Sequence, residues 1–434
     1  MAILRSSNRR FLVAAFIVAL LARAGAVVAL HAWRSPMAWE NGAIAKAIAA
    51  GEGFSFDYSE GEISNYYSLR RPIPTSFQAP FYPYVLAGTY ALARHVGSDR
   101  AFMLLLFLQA VVGAALVFPV AGIARKLSSD RAAVVGVVIA AVYPAFVYDA
   151  TVTHQAVWVT TGFAYLFLAL LALKERPTVR RAVVFGAVLG VSLLMEPAFL
   201  ALIGMALLGA VLAGQARRRI AAAGALGVAV SLLVASPWLA RCYMVHGRFV
   251  FIKSSTGFNL WQGNNPASNG TPHSGWKHVA YPAPARLLAR LKRAGDEIHR
   301  DDIWRAAAVA AIKANPAHAA ALAVEKAVFF WTITPYHPLT GRSSYWLPYA
   351  VLFVAALAAM VAMRGRLKQH LPSLLAFGAA TILYSITFPG PRYRMPLEPL
   401  LFLFSAEGLV LASQRAAGWA QRIRASHQPA DAQT

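Results

Sequence analysis

Long apolar runs alternate with short polar stretches along almost the whole chain. A helix of about 20 apolar residues is long enough to cross the ~30 Å hydrocarbon core of a bilayer. The pattern predicts about ten spans, at about 11–30, 101–124, 132–148, 156–173, a hairpin over 182–214 that counts as two, 220–240, 345–363, 371–388 and 396–414. We therefore expect an all-α, polytopic integral membrane protein.

The basic residues predict how the spans are oriented. Clusters of Arg and Lys lie before the first run and after alternate later runs, at Arg9-Arg10, Arg125-Lys126, Arg217-Arg218-Arg219 and Arg364 to Lys368. Short cytoplasmic loops carry such an excess, so both termini are expected in the cytoplasm. The first run exceeds the ~7–15 apolar residues of a signal peptide, which favours an uncleaved anchor over a cleaved leader.

Three regions follow from this topology. They are residues 1–240, with the N-terminal spans and a first outer loop at 31–100; residues 241–344, an outer region without an apolar run of spanning length; and residues 345–434, with the last spans and a polar tail. Within the first outer loop, Ile44, Ala47 and Ile48 recur at helical spacing. This spacing predicts a short helix lying in the membrane interface.

Composition narrows the class of protein. Hydrophobic residues make up 58% of the chain and charged residues only 14%, against about 25% charged in soluble domains. The net charge of +23 is divided among short clusters, so nucleic acid is not an expected partner. The single cysteine, Cys242, excludes an intramolecular disulfide and a cysteine-based zinc cluster.

The candidate chemistry lies on the predicted outer side. Glu40 follows the first span at the water boundary, where a carboxylate can stay ionised and accept a proton, whereas one at mid-membrane would be neutralised. Capping of the following helix is the alternative role for Glu40. A second acid, Glu196, lies at the turn of the predicted hairpin, where solvation is the simpler expectation.

Two arginines precede the last span in a stretch expected to be non-helical. Arg392 and Arg394 carry planar guanidinium groups, which suit phosphate oxygens. Arg394 is the first choice for a phosphate contact, and snorkelling to the interface is the alternative for either residue. Glu398 is a candidate ion-pair partner for one of them.

Four motifs carry a resemblance to a known family. They are Trp39-Glu40-Asn41-Gly42, the run from Pro74 to Pro83, the run from Asn259 to Pro266, and Arg392-Tyr393-Arg394. In this order the chain resembles bacterial membrane glycosyltransferases of the dolichyl-phosphate-mannose-protein mannosyltransferase and aminoarabinose transferase-like family. The resemblance implies a GT-C fold, an outer active site and a polyprenyl-phosphate-linked sugar donor. It also implies that the catalytic acid carries over onto Glu40.

The resulting hypothesis is a glycosyltransferase of the cell inner membrane. It would move a sugar from the polyprenyl-phosphate donor to a hydroxyl of a glycan, lipid or protein acceptor at the periplasmic face, with Glu40 as general base and Arg392 and Arg394 on the donor phosphate. Further candidate substrate contacts are Asp57, Tyr82, Asp149, Asn264 and Asn265. A divalent cation is neither required nor excluded. A transporter or flippase of the same lipid-linked sugar is the alternative, although the internal repeats common in transporters are not visible.

Overall fold

A computed structural model describes residues 2–57, 72–273, 281–337 and 339–426. The predicted polar tail after Ser426 and residues 58–71 of the first outer loop lie outside the described residues. The helices are α1 Ala2–Ala29, α2 Trp39–Ala49, α3 Phe81–Val96, α4 Ser98–Ala114, α5 Val117–Leu127, α6 Asp130–Val142, α7 Pro144–Asp149, α8 Ala156–Glu175, α9 Val179–Met195, α10 Phe199–Ala213, α11 Arg217–His246, α12 Thr256–Asn264, α13 Ala285–Arg293, α14 Glu297–Ala314, α15 Pro316–Trp331, α16 Ser343–Ala362, α17 Leu371–Ile386, α18 Pro391–Arg394 and α19 Glu398–Ser426. Two short strands, β1 Ser55–Phe56 and β2 Ile73–Pro74, complete the described secondary structure apart from short 3-10 turns.

The all-α membrane architecture is confirmed. In the described part of the chain, six helical stretches are long and apolar enough to cross a membrane: Arg9–Ala29, Ser98–Leu127, Ala156–Glu175, Arg217–His246, Ser343–Ala362 and Pro391–Trp419. A seventh arises if α14 and α15, which meet at 109°, form one broken span. Helices α6, α9, α10 and α17 occupy other predicted spans but have only 13, 17, 15 and 16 residues. The number ten therefore stays a prediction.

Two boundaries differ from the sequence-based expectation. Helix α11 continues to His246, six residues beyond the predicted end of the span, because its last turns pack against the first outer loop. The charged sequence over about 285–315 predicts one helical piece, but the structure has two helices there, α13 and α14. Asp296 separates them, and its side chain accepts a hydrogen bond from the backbone N–H of His299 at 2.7 Å, as an N-cap does.

Close helix packing depends on small residues. Along α9, Gly186 faces α11 so closely that a Cβ there would lie 2.3 Å from the carbonyl oxygen of Gly227. One turn later, a Cβ on Gly190 would lie 2.6 Å from the Cβ of Val234. Helices in lipid associate through such close contacts, since apolar side chains gain little by leaving lipid for each other. Any larger residue at these positions would separate α9 from α11.

A charge within the first span is costly in lipid, so the sequence predicts that Arg23 either faces protein or snorkels to the interface. In the structure Arg23 is fully buried. Its guanidinium donates to the carbonyl oxygens of Ala140 and Ala141 at 3.1 and 2.8 Å, in the last turn of α6. These carbonyls have no partner within their own helix, so the arginine serves as a cap. Gly113 makes room for it, because a Cβ there would lie 2.9 Å from Arg23 Nε. The arginine thus joins α1, α4 and α6.

The first outer loop begins with α2, as predicted, and α2 packs on α3. Ala45 of α2 is buried with Tyr82 and Leu86 of α3 in a small apolar cluster. Beyond α2, β1 and β2 pair antiparallel, with Ser55 opposite Pro74 and Phe56 opposite Ile73. The pair brings the two ends of the intervening segment together.

The end of α11 anchors this loop. Arg241 donates to the carbonyl oxygen of Phe54 at 2.7 Å and also to that of Thr75. Glu297 of α14 is buried and accepts hydrogen bonds from the Ser76 backbone at 2.9 Å and from the Thr75 hydroxyl. The loop is therefore held from both α11 and α14.

Candidate active site

Glu40 lies in the first turn of α2, half-buried beside a cavity of about 230 Å³ that Trp39, Lys46, Phe56 and Tyr90 also line. Ala38 is the N-cap of this helix and makes no side-chain capping bond. Within the described residues, no hydrogen bond to the Glu40 carboxylate is formed. The capping alternative therefore reduces to a favourable interaction of the carboxylate with the helix dipole, and the carboxylate remains accessible to a ligand.

Trp39 fixes the start of α2 in an unusual way. Its φ is 41°, in the left-handed region that large side chains rarely adopt. Its indole meets the His154 ring edge to face, with centroids 6.0 Å apart. This contact places the loop between α7 and α8 against the residue that precedes Glu40.

Arg392 lies in α18, a short helix, so the prediction of a non-helical approach to the last span is wrong. Pro391 occupies the first turn, where its missing N–H costs nothing, and a 3-10 turn at Met395–Leu397 leads into α19. The Arg392 side chain is exposed. In the described part of the chain, its hydrogen bond is to the Tyr393 hydroxyl at 2.8 Å. The carboxylates of Glu40 and Glu196 both lie within its electrostatic range.

Arg394 is buried and its guanidinium is already engaged. Nε donates to Glu398 Oε1 at 2.9 Å, so the predicted pairing with Glu398 is confirmed. Nη1 donates to the carbonyl oxygens of Phe330 and Thr332 at 3.0 and 2.8 Å, at the end of α15. The guanidinium also lies over the Tyr349 ring, 3.5 Å from its centroid. The sequence-based first choice for the phosphate contact is therefore the less available of the two arginines.

Glu196 lies at the turn between α9 and α10. The sequence led us to expect a solvated side chain, but Glu196 is buried. Lys253 Nζ donates to its Oε1 at 3.1 Å. The turn itself is confirmed, since α9 ends at Met195 and α10 begins at Phe199. Glu196 and Arg392 lie within electrostatic range of each other, so the turn belongs to the same polar region as Glu40.

Three imidazoles border Arg392. Burial, and then the positive charge of Arg392, lower the pKa of His154 to about 3. The rings of His273 and His337 lie 5.7 Å apart. Burial, and after it the neighbouring His273, Arg392 and Arg394, lower the pKa of His337 to about 4. All three rings are therefore neutral at pH 7 and can donate or accept hydrogen bonds without adding charge.

Asp149 ends α7 on the side of the buried arginines. Burial, and then the nearby Glu398 charge, raise the pKa of the Asp149 carboxyl to about 7 against the opposing effect of Arg23. Within the described residues, no hydrogen bond to this carboxyl is formed. Asp149 is therefore a polar group facing an interior region, as a candidate substrate contact requires.

The other candidate contacts have protein partners. Tyr82 is buried, and its hydroxyl donates to Gln109 Oε1 at 3.0 Å. The Asn264 amide donates to the Leu260 and Ile386 carbonyls and accepts from Lys326 Nζ at 2.8 Å. Asn265 is buried. Its side-chain amide donates to the Gln262 carbonyl at 3.3 Å and accepts from the Ala267 N–H at 3.0 Å. Asp57 adjoins residues 58–71, so its predicted contact stays a prediction.

The arrangement provides a carboxylate and an exposed guanidinium around one polar region. It can stabilise negative charge that develops on a phosphate while a nearby hydroxyl loses its proton. In the described part of the chain, no group of three or more His, Cys, Asp or Glu side chains could hold a metal ion.

Sequence reasoning missed part of this region. His273 and His337 lie 64 positions apart in chain segments that the hydropathy pattern treats as one undivided outer region. Lys253 also gave no local signal, because its partner Glu196 lies in a hairpin that precedes the whole of α11. Only the packing of the outer segments brings these side chains together.

Comparison with known proteins agrees with the fold. Residues 77–240 match the dolichyl-phosphate-mannose-protein mannosyltransferase family, which is less than half of the chain. No curated protein sequence gave a significant match. An apo crystal structure of the Archaeoglobus fulgidus oligosaccharyltransferase superposes with a TM-score of 0.55 at 16% identity, covering 96% of this chain and 52% of that chain.

Two further structures are similar. The Archaeoglobus fulgidus oligosaccharyltransferase AglB, in complex with an inhibitory peptide and a dolichol-phosphate, gives a TM-score of 0.53 at 15% identity over 98% of this chain and 52% of that chain. ArnT from Cupriavidus metallidurans bound to undecaprenyl phosphate gives 0.43 at 16% identity over 93% and 78%, a score too low to carry an argument. The chain spans about half the length of the oligosaccharyltransferase it matches. The fold of this chain is similar to that of the archaeal oligosaccharyltransferase over almost its whole length.

Proposed function

We propose that this protein transfers a sugar from a polyprenyl-phosphate-linked donor to an acceptor hydroxyl at the periplasmic face of the inner membrane. One observation carries the proposal: the half-buried Glu40 carboxylate lies within electrostatic range of the exposed Arg392 guanidinium. The two groups belong to segments about 350 positions apart, so the fold has to bring them together.

The chemistry of this transfer requires two opposite charges. As the bond between the sugar and the phosphate breaks, the anomeric carbon gains oxocarbenium character and the phosphate gains negative charge. In our proposal Arg392 binds that phosphate through its planar N–H groups. Glu40 accepts the proton of the attacking hydroxyl.

Arg394 has a supporting role in this scheme. Its ion pair with Glu398 and its bonds to the end of α15 set the position of α18, and Arg392 lies two residues earlier on that short helix. The neutral imidazoles of His273 and His337 border the same guanidinium and are candidates for hydrogen bonds to sugar hydroxyls. Asp149 retains its predicted role as a substrate contact.

The test is a transfer assay on the purified full-length protein in lipid nanodiscs. Short-chain polyprenyl-phosphate hexose and pentose donors are added with a membrane extract as the acceptor source, and released polyprenyl phosphate is measured by mass spectrometry. Glu40→Gln keeps the size of the side chain and removes the base. We expect it to lower kcat by about 100-fold to 10,000-fold.

Glu52→Gln is the matched control, because Glu52 is an exposed acid in the same loop, just beyond α2. It should leave kcat unchanged. If Glu40→Gln turns over as fast as the control, Glu40 is not the base. If the donor crosses the bilayer of a proteoliposome without release of polyprenyl phosphate, the protein is a transporter and the proposal fails.

A further inference from the structure

A second polar cavity lies at the opposite end of the helical bundle from Glu40. Helix α8 begins next to the loop of His154 and runs 20 residues, which is about 30 Å, to this end. The cavity has a volume of about 780 Å³, and the polar residues that line it are Lys174, Gln215, Arg217, Arg366, Lys368 and Gln369. We propose that it binds the phosphate headgroup of an acidic membrane phospholipid.

The first argument is the sign of the charge. Lys174, Arg217, Arg366 and Lys368 come from three separate segments, and the lining residues, all within the described part of the chain, include no acid. The neighbouring Glu175 forms an ion pair with Lys126. Four cations around one cavity repel each other, and an anionic phosphate placed among them relieves that repulsion through charge-assisted hydrogen bonds.

The second argument is that the walls are fixed before any ligand binds. A Cβ on Gly209 would lie 2.7 Å from the carbonyl oxygen of Leu371, so the end of α10 touches the start of α17. Gln369 donates to the carbonyl oxygen of Leu127 at 3.1 Å, which ties the 3-10 turn Arg364–His370 to α5. Arg217 is the first residue of the 30-residue helix α11. The backbone N–H groups of its first turn, which have no partner within the helix, therefore lie at the cavity.

The third argument favours a lipid over a free phosphate. On α10, Leu208 and Leu212 are 44% and 41% exposed, and they share one face because they are four residues apart. Leu212 directly precedes Ala213, which lies at the rim of the cavity. An exposed apolar track that ends at a cationic cavity matches the acyl chain and the phosphate of one lipid molecule.

Basic residues at this end would also orient the chain in the membrane. Orientation alone, however, needs only that the charges lie in the same loops, and it does not need them to converge on a cavity. Two double variants separate the two roles. Arg366→Gln with Lys368→Gln removes two cations from the cavity. Arg131→Gln with Arg415→Gln removes two exposed cations outside it.

The experiment is native mass spectrometry of the full-length protein released from detergent, titrated with phosphatidylglycerol or phosphatidylcholine. We expect one phosphatidylglycerol to be retained in preference to phosphatidylcholine. The cavity variant should bind it about 30-fold more weakly, because each cation near an anionic headgroup contributes about 1 kcal/mol. The control variant should bind it like the unmodified protein. Thermal unfolding of both variants verifies that they are folded.

Three results would overturn the inference. Equal losses in both variants would mean that general surface charge attracts the lipid. Equal retention of the two lipids would mean that the site does not discriminate between headgroups by their charge. Displacement of phosphatidylglycerol by inorganic phosphate at the same concentration would mean that the acyl chain contributes nothing and that the site takes a free anion.

Discussion

Replacing each of the two arginines of α18 by alanine should affect a different property of the protein: stability for Arg394 and donor binding for Arg392. Arg394 and Glu398 are 5% and 2% exposed and form a single ion pair at 2.9 Å. In Arg394→Ala, Glu398 is left in the interior without that partner, and its Oε2 has no hydrogen bond in the described structure even now. The end of α15 also loses two hydrogen bonds to its carbonyl groups.

The size of each effect follows from these contacts. Removing one partner of a buried ion pair costs about 3–5 kcal/mol, a large part of the ~5–15 kcal/mol that stabilises a typical folded protein. Arg392 is exposed, so Arg392→Ala should change stability by less than ~0.5 kcal/mol. If it binds the donor phosphate, the lost charge-assisted hydrogen bonds amount to about 1.5–3 kcal/mol, or about a 10-fold to 150-fold increase in KM for the donor.

Thermal unfolding in detergent, followed by tryptophan fluorescence, measures the first effect, and donor titration in the transfer assay measures the second. The double variant Arg394→Met with Glu398→Leu replaces both charges by apolar groups and should recover most of the lost stability. The reasoning is refuted if Arg394→Ala unfolds like the unmodified protein and raises the donor KM, while Arg392→Ala leaves that KM unchanged.

Two further predictions concern stability. The pKa of Asp149 is raised to about 7, so folding takes up a proton between the unfolded pKa near 4 and pH 7. Stability should therefore fall as the pH rises through this window, and Asp149→Asn should remove the fall. Unfolding midpoints at pH 4, 5.5 and 7.5 would check this. The same dependence of the midpoint on pH in the variant would contradict it. A Cβ on Gly263 would lie 1.7 Å from the carbonyl oxygen of Thr387, so Gly263→Ala should cost about 1–3 kcal/mol. Gly378→Ala, where a Cβ meets nothing within 4 Å, is its control, and equal unfolding temperatures would refute the contact.

Local patterns were sufficient to predict several of the helices and some of their contacts. Helical spacing predicted α2, with Ile44 and Ala47 on its buried face. Glu398 was a candidate partner for either arginine of α18, and the ion pair that forms, with Arg394, has the i, i+4 spacing that suits a helix. The cost of a charge in lipid indicated that Arg23 would either face protein or snorkel, and the structure buries it in protein.

Long-range partners could not be predicted in this way. The acceptors of Arg23 are carbonyl groups 117 and 118 positions away, and carbonyls carry no sequence signal. In the sequence, Glu297 is one acid among several in a charged stretch. In the structure it is buried against Ser76, because α14 folds back onto the first outer loop. Hydropathy also fails to rank Arg392 against Arg394, because their exposure depends on how α15 ends beside them.

The antiparallel pairing of Ser55–Phe56 with Ile73–Pro74 has an evolutionary consequence. Because the chain leaves and rejoins the frame at neighbouring points, the intervening segment can change in length without separating the two strands. The entropy of closing a longer loop rises only slowly with its length. Changes in the length of this stretch can therefore accumulate among descendants of the same gene while the two strands stay paired.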